Sequence, residues 1–250
     1  MTDLQNKDGR RDLGETFRRL IASTGPISLM HFMGESNTRY YTESCAIGGS
    51  GGGDGGGGGD FITAPEVSQM FGELIGLWLA DMWIRGARRM PVHYVELGPG
   101  RGTLASDARR AMKQHGLSPR IHLVETSRVM RDAQLAVLPD AIHHHDLSTV
   151  PMDGPILLIA NEFLDALPVR QLVRTVQGWR EIMVGVDGAG KFVETPGRQP
   201  MDSAVPEARR SDPPGTVVET SPASASIIFE VAGRLATQGG AALFIDYGYT

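Results

Sequence analysis

The chain of 250 residues has a single cysteine, Cys45, which rules out an intramolecular disulfide. No Cys or Cys/His pairing has zinc-ligand spacing, so no metal site is expected and a reducing compartment fits best. Basic residues are not in excess: 24 Lys and Arg against 29 Asp and Glu leave a formal charge of -5. Nucleic acid, whose phosphates need a basic footprint, is therefore a poor partner. No apolar run has the length to span a bilayer. The start, Met1 to Asp8, is polar and carries acids, unlike a secretory signal or a transit peptide. These absences leave a cytoplasmic, bacterial protein of one principal domain, 41% hydrophobic and long enough to bury a substantial core.

What is present is ordered along the chain. Residues 12–23 place Leu13, Phe17, Leu20 and Ile21 on one helical face, and Gly25-Pro26 ends that helix. A short apolar stretch, 27–33, follows it and precedes Tyr40-Tyr41. Residues 48–59 are glycine except for Ser50 and Asp54, a composition that packs no core; it reads as a flexible linker or as an artefact of how the chain was built. Pro65 opens an apolar helix over 67–84, with Thr63 placed to cap it, expected to lie buried against a sheet. From Val92 onward short apolar runs at 92–97, 121–124, 141–145, 156–160 and 241–245 alternate with helical stretches. That alternation predicts a doubly wound α/β fold around a mainly parallel sheet. Residues 169–186 read as a β-hairpin insertion and 187–214 as a Gly/Pro-rich loop. The division expected is an N-terminal helical segment at 1–47, the linker at 48–59, and the main domain at 60–250 with its insertion at about 169–214.

The chemistry gathers at strand ends. After the first run come Glu96, Leu97, Gly98, Pro99, Gly100, Arg101, Gly102 and Thr103, then a helix. A glycine turn between strand and helix admits a ligand to the backbone and to the helix's unpaired N–H groups. A dinucleotide fingerprint needs glycine at the first, third and sixth positions, and the sixth here is Thr103. Alternate glycines preceded by an acid two residues earlier resemble instead the S-adenosylmethionine (SAM) loop of class I methyltransferases. Glu125, at the end of the second run, stands near the spacing expected of an acid that holds ribose hydroxyls. His143, His144 and His145 are consecutive, so on a strand they face alternate sides and cannot share one ion; they read as sheet-edge side chains. Asn161, Glu162 and Asp165 bring an amide and two carboxylates to the end of the fourth run. There they either hold a cationic substrate and accept a proton, or cap the next helix.

Three segments together resemble one family, the MidA-like class I methyltransferases, which include the mitochondrial complex I assembly factor that methylates arginine. The segments are 59–73 (Gly59-Asp60-Phe61 through Gly72-Glu73), 96–102 and 161–168; 218–222 and 245–248 add weaker matches. The resemblance runs from about Phe17 to the end. It implies a class I fold and methyl transfer from SAM to an arginine in a complex I subunit. Glu96 would help hold the methionine end, Gly98, Gly100 and Gly102 would give the ligand room, Thr103 and Asn161 would also bind the cofactor, and Asp146 with Leu147 would meet the adenine. Glu66, Glu162 and Asp165, with Asp246 behind them, would grip a guanidinium, the planar cation that paired carboxylates match. The glycine tract stands where the family has an ordinary loop. The chain ends at Thr250, just after the fifth strand, where the family continues, so a truncated C-terminal part and an incomplete substrate site are expected. A non-catalytic assembly scaffold using the apolar helix and hairpin is the alternative, and a nucleotide-dependent oxidoreductase comes third.

Overall fold

The computed structural model describes residues 12–43 and 63–248. Cys45 and the glycine tract fall outside them. The elements in chain order begin with α1 (Leu13–Thr24), β1 (Ile27–Ser28), α2 (Leu29–Glu43), α3 (Ala64–Val67) and α4 (Gln69–Arg85). Then come β2 (His93–Leu97), α5 (Thr103–Gln114), β3 (Arg120–Val124), α6 (Arg128–Val137), β4 (Ile142–His144) and β5 (Ile156–Asn161). The last are β6 (Arg170–Thr175), β7 (Gly178–Val186), β8 (Phe192–Pro196), β9 (Val217–Thr220), α7 (Pro222–Gln238) and β10 (Gly240–Ile245).

Contacts divide the chain into two compact units, Met1–Thr38 with Leu167–Ala223, and Arg39–Ala166 with Ser224–Thr250. The first groups the N-terminal helices with the inserted strands, a grouping that residue order alone does not suggest. Its sheet is antiparallel, ordered β1-β7-β6-β9, with β8 also on β7. β6 and β7 form the expected hairpin, Thr175 opposite Gly178. The stretch expected as a bare loop instead contributes β8, which pairs Phe192 with Val186 and Pro196 with Ile182. The long β7 presents backbone donors and acceptors along its whole length, and β1, β6 and β8 all pair with it. Asp12 caps α1 by accepting from the Gly14 N–H at 3.0 Å. Phe17 of α1 then stacks on Phe32 at 4.5 Å between ring centres, and both meet Phe192 of β8.

The second unit holds an all-parallel sheet ordered β10-β5-β2-β3-β4. The order reverses between β2 and β5, so the crevice outside their carboxyl ends is where such sheets bind ligands. On one face Tyr94, Ile121, Leu123 and Ile159 pack with Leu79, Leu104, Ala108 and Met112 of α4 and α5; on the other, Val95, Leu97 and Leu158 pack with Val231 of α7. The apolar helix differs from expectation. It breaks at Ser68, which is extended and caps α4 by accepting from the Met70 N–H. Only one face is buried, and Gly76 brings it so close to α5 that an added Cβ would lie 2.4 Å from the Ala108 carbonyl oxygen. Val67, Met70, Leu74, Leu77 and Ile84 are exposed, because one close helix neighbour covers one stripe and no more.

The histidines also differ. His144 faces inward from β4 and is buried. His93, His122 and His144 form a chain across three strands, with ring nitrogens 3.0 and 2.9 Å apart; Asp153 holds one end at 2.8 Å and Thr149 the other at 2.8 Å. β4 is the edge strand, but its inward face is covered by the segment after it, so a polar side chain there must find partners.

Candidate active site

β2 and β5 carry the two halves of the site to the switch point. Glu96 is buried and accepts from the Tyr94 hydroxyl at 2.6 Å. Burial pushes its carboxyl up to about 8, against the lowering effect of that hydrogen bond. Next comes the loop, where Gly98, Gly100 and Gly102 all have positive φ, at 61°, 53° and 83°. Three glycines in the left-handed region turn the chain from β2 into α5 without strain. They are not equivalent. A Cβ on Gly98 would strike the Phe163 ring at 2.8 Å, and one on Gly102 would press against Val137 and Gln134 of α6 at 3.3 and 3.5 Å. Beside Gly100 nothing lies within 4 Å, so the open space is there. Gly102 is the N-cap of α5 and leaves Thr103 as its first helical residue, with unpaired N–H groups facing outward.

Glu125 follows β3, its own N–H donating to the His144 carbonyl at 3.0 Å. One carboxylate oxygen accepts from the Ser127 N–H at 2.7 Å, and Arg131 donates to its carbonyl at 2.8 Å. Gln134 of α6 lies between this acid and the loop: its amide donates to the Gly100 carbonyl at 2.6 Å and approaches Glu125 Oε2 at 3.4 Å. His143 reaches Gln134 Oε1 at 2.8 Å. Sequence reasoning missed Gln134. The available signal was a polar residue four positions after Met130 and four before Leu138, on a helical stripe that is otherwise buried and apolar. Asp146 caps a short turn by accepting from the Ser148 N–H at 2.9 Å, and the Ser148 side-chain and backbone bonds hold its carboxyl below the usual range. Leu147, beside it, is buried.

At the end of β5, Asn161 Oδ1 is buried with no hydrogen-bond partner among the described residues. An orphaned acceptor of this kind at a ligand crevice asks for a donor from outside. Glu162 sits at φ 49°, a left-handed conformation that non-glycine residues rarely adopt and that occurs at functional sites. Its carboxyl is raised by burial, then by Asp165 and Asp246, while the Ala64 N–H and the Asn161 amide bond to it and oppose the rise. Asp165 is raised by burial and by Asp246, with which it shares a hydrogen bond. Asp246, just after β10, accepts from the N–H groups of Leu164 and Asp165 at 2.9 and 3.1 Å. Three carboxylates thus converge, and no ion pair to any of them is found among the described residues. Glu66 stands on α3 two residues after Ala64, at half-buried exposure. The structure brings its helix, by way of Ala64, to Glu162.

Residues 74–250 match the family model described as "Putative S-adenosyl-L-methionine-dependent methyltransferase". The chain belongs to this family. It is 36% identical over 92% of its length to the mouse mitochondrial protein arginine methyltransferase NDUFAF7 and 34% identical over 92% to the human one, matching 58% and 57% of those proteins. The chain therefore spans less than two thirds of these curated relatives. Two crystal structures of a Burkholderia thailandensis superfamily protein superpose with TM-scores of 0.70 and 0.69 at 28% identity. Each covers 95% of this chain, and the chain covers 61% and 62% of theirs. The second holds S-adenosyl-homocysteine (SAH). The α/β fold with its parallel sheet is that of these methyltransferases, as the strand pattern predicted. The cofactor of the family is SAM, and the residues present fit it: open space at Gly100, unpaired α5 N–H groups and an unsatisfied Asn161 oxygen lie at one crevice. Among the described residues no helix is long and apolar enough to cross a membrane.

Proposed function

We propose that this chain carries the catalytic core of a methyltransferase acting on an arginine side chain of a protein. The observation that carries the reading is the meeting, at the ends of β2 and β5, of an open glycine loop and a cluster of carboxylates that have no ion pair among the described residues. Glu96, Gly98, Gly100, Gly102, Thr103 and Asn161 would hold the methionine end of the cofactor, Glu125 the ribose hydroxyls, and Asp146 with the Leu147 backbone the adenine. The cofactor, when bound, supplies a methyl group on a positively charged sulfur. Glu162 and Asp165 grip the guanidinium and aim one nitrogen at that methyl, Asp246 fixes the loop that carries them, and Glu66 closes the α3 side. As the new N–C bond forms and the S–C bond breaks, the nitrogen releases one proton. A carboxylate whose affinity for protons has been raised, as at Glu162, is suited to accept it. Positioning supplies most of the rate. By family resemblance the protein substrate is a subunit of respiratory complex I during assembly, and the workplace is a bacterial cytoplasm, or the mitochondrial matrix for eukaryotic relatives.

Calorimetric titration of SAM and SAH into the wild-type chain and Gly100→Val, with NADH as control, tests the cofactor. Transfer of a labelled methyl to protein arginine, lost in Glu162→Gln, tests the acceptor. Absence of saturable SAH binding by a folded wild-type chain would sink the reading. A scaffold role has one observation of its own, the exposed stripe of Val67, Met70, Leu74, Leu77 and Ile84 along α3 and α4. Under that reading Leu74→Lys abolishes partner capture, while Glu162→Gln leaves it intact and no methyl transfer is detected.

A further inference from the structure

The geometry points to Gln134 as a positioning residue that sets the span between the glycine loop and Glu125, and through it the affinity for the nucleoside part of the cofactor; the inference rests on the function proposed above. Gln134 is 0% exposed. A primary amide in that position is unfavourable unless its donors and acceptors are matched. Its matches are specific. The Gly100 carbonyl and the Glu125 carboxylate are acceptors, so the end that faces them is the NH2 group, with one N–H for each. The other end, Oε1, then accepts from His143 Nε2, which fixes that ring with its proton on Nε2. The amide orientation and the histidine tautomer follow from the partners alone.

None of these partners is a neighbour of Gln134 in sequence, and they belong to three different elements: the turn after β2, the end of β3, and β4. Gly100 is the loop glycine with open space beside it, and Glu125 has its other carboxylate oxygen held by the Ser127 N–H. The side chain therefore braces the two surfaces between which a ribose would lie. Gly102, where an added Cβ would lie 3.3 Å from Val137 and 3.5 Å from Gln134, lets α6 pack closely against the loop. A leucine here would fill the volume but leave the Gly100 carbonyl unpaired and Glu125 free to turn. Glutamate would set a carboxylate against that carbonyl and against a second carboxylate.

The test is calorimetric titration of SAH, and of adenosine as a probe lacking the methionine end, into Gln134→Leu, Gln134→Glu and His143→Leu. Glu125→Gln and Gly100→Val serve as site controls, and thermal unfolding and near-ultraviolet circular dichroism check folding. A lost hydrogen bond to a charged group corresponds to a roughly 10- to 100-fold loss of affinity, expected for both ligands in both Gln134 variants. Coupling is the reading a packing role would not move. On the Glu125→Gln background, Gln134→Leu should weaken SAH by only about threefold, because the group it orients is already gone. His143→Leu, which leaves the loop untouched, should weaken SAH by about threefold and keeps the inference testable if the Gln134 variants fail to fold. Folded Gln134→Leu with unchanged SAH affinity, or losses that add independently of Glu125, overturns the positioning role. If the two control variants also leave SAH affinity unchanged, the cofactor reading itself fails instead.

Discussion

The glycine loop after β2 and the carboxylate cluster after β5 end on the same edge of one sheet, yet they are made differently. The loop is a backbone device: positive φ at three positions, an open space beside one of them, and helix N–H groups at its mouth. Its shape is complete without a ligand. The cluster is a side-chain device, in which burial, then Asp165 and Asp246, raise Glu162, and burial, then Asp246, raise Asp165. Among the described residues no ion pair balances its charges, so a cation brought by a substrate would complete it. One region prepares space, the other prepares charge.

The sharpest way to separate them is Glu162→Gln combined with Asp165→Asn. Methyl transfer should fall by about 100- to 1000-fold, as expected when positioning and proton acceptance are lost together, while SAH affinity stays within about threefold. Equal losses in both would show that the two regions form one site. Gly100→Val reverses the pattern. A branched side chain at φ 53° is strained by about 1–2 kcal/mol and fills the open space, so SAH binding should drop about 100-fold in calorimetry.

Titration separates the regions further. His122 is pushed down to about 4 by burial, then by His93 and His144 and by Arg120, with Asp153 opposing. The unfolded chain takes up its proton near 6.5 and the folded chain does not until about 4, so the unfolded state binds more protons between those values. Stability should therefore fall on acidification across that window, by on the order of 2–3 kcal/mol in denaturant titrations, and the fall should be smaller in His122→Gln. A wild-type profile flat over that range would mean His122 is not held neutral. Glu96 has the opposite sign: raised to about 8, it keeps its proton in the folded free chain at neutral pH. A cationic amino group placed beside it favours the ionised form, so SAM affinity should climb with pH up to about 8, by at most about tenfold per unit, and plateau above. No proton release on binding in buffers of differing ionisation heat would place the amino group elsewhere. The smallest effect belongs to Glu162→Gly, which relieves the left-handed backbone. It should leave stability unchanged or raise it by about 1 kcal/mol while transfer is lost, distinguishing strain from charge.

The sequence by itself determined the parallel strands, each within a residue or two of its expected place, and the glycine loop, because both are local. Apolar runs mark strands buried on both faces, and left-handed backbone at three positions of one short turn favours glycine there. Asn161, Glu162 and Asp165 were legible as polar groups at a strand end. Whether they merely capped a helix was not, since the raised proton affinities of Glu162 and Asp165 come first from burial and then from neighbouring acids that include Asp246, more than eighty residues away. Only the tertiary structure decided which face of α4 is covered, that β8 and β9 complete the sheet around the inserted hairpin, and that His93, His122 and His144 join across three strands. It also decided that Gln134 bridges Gly100 and Glu125. Each of these depends on which distant surface a residue meets. Periodicity along the chain reports a face and its polarity, but the identity of the group opposite is set only when the elements pack.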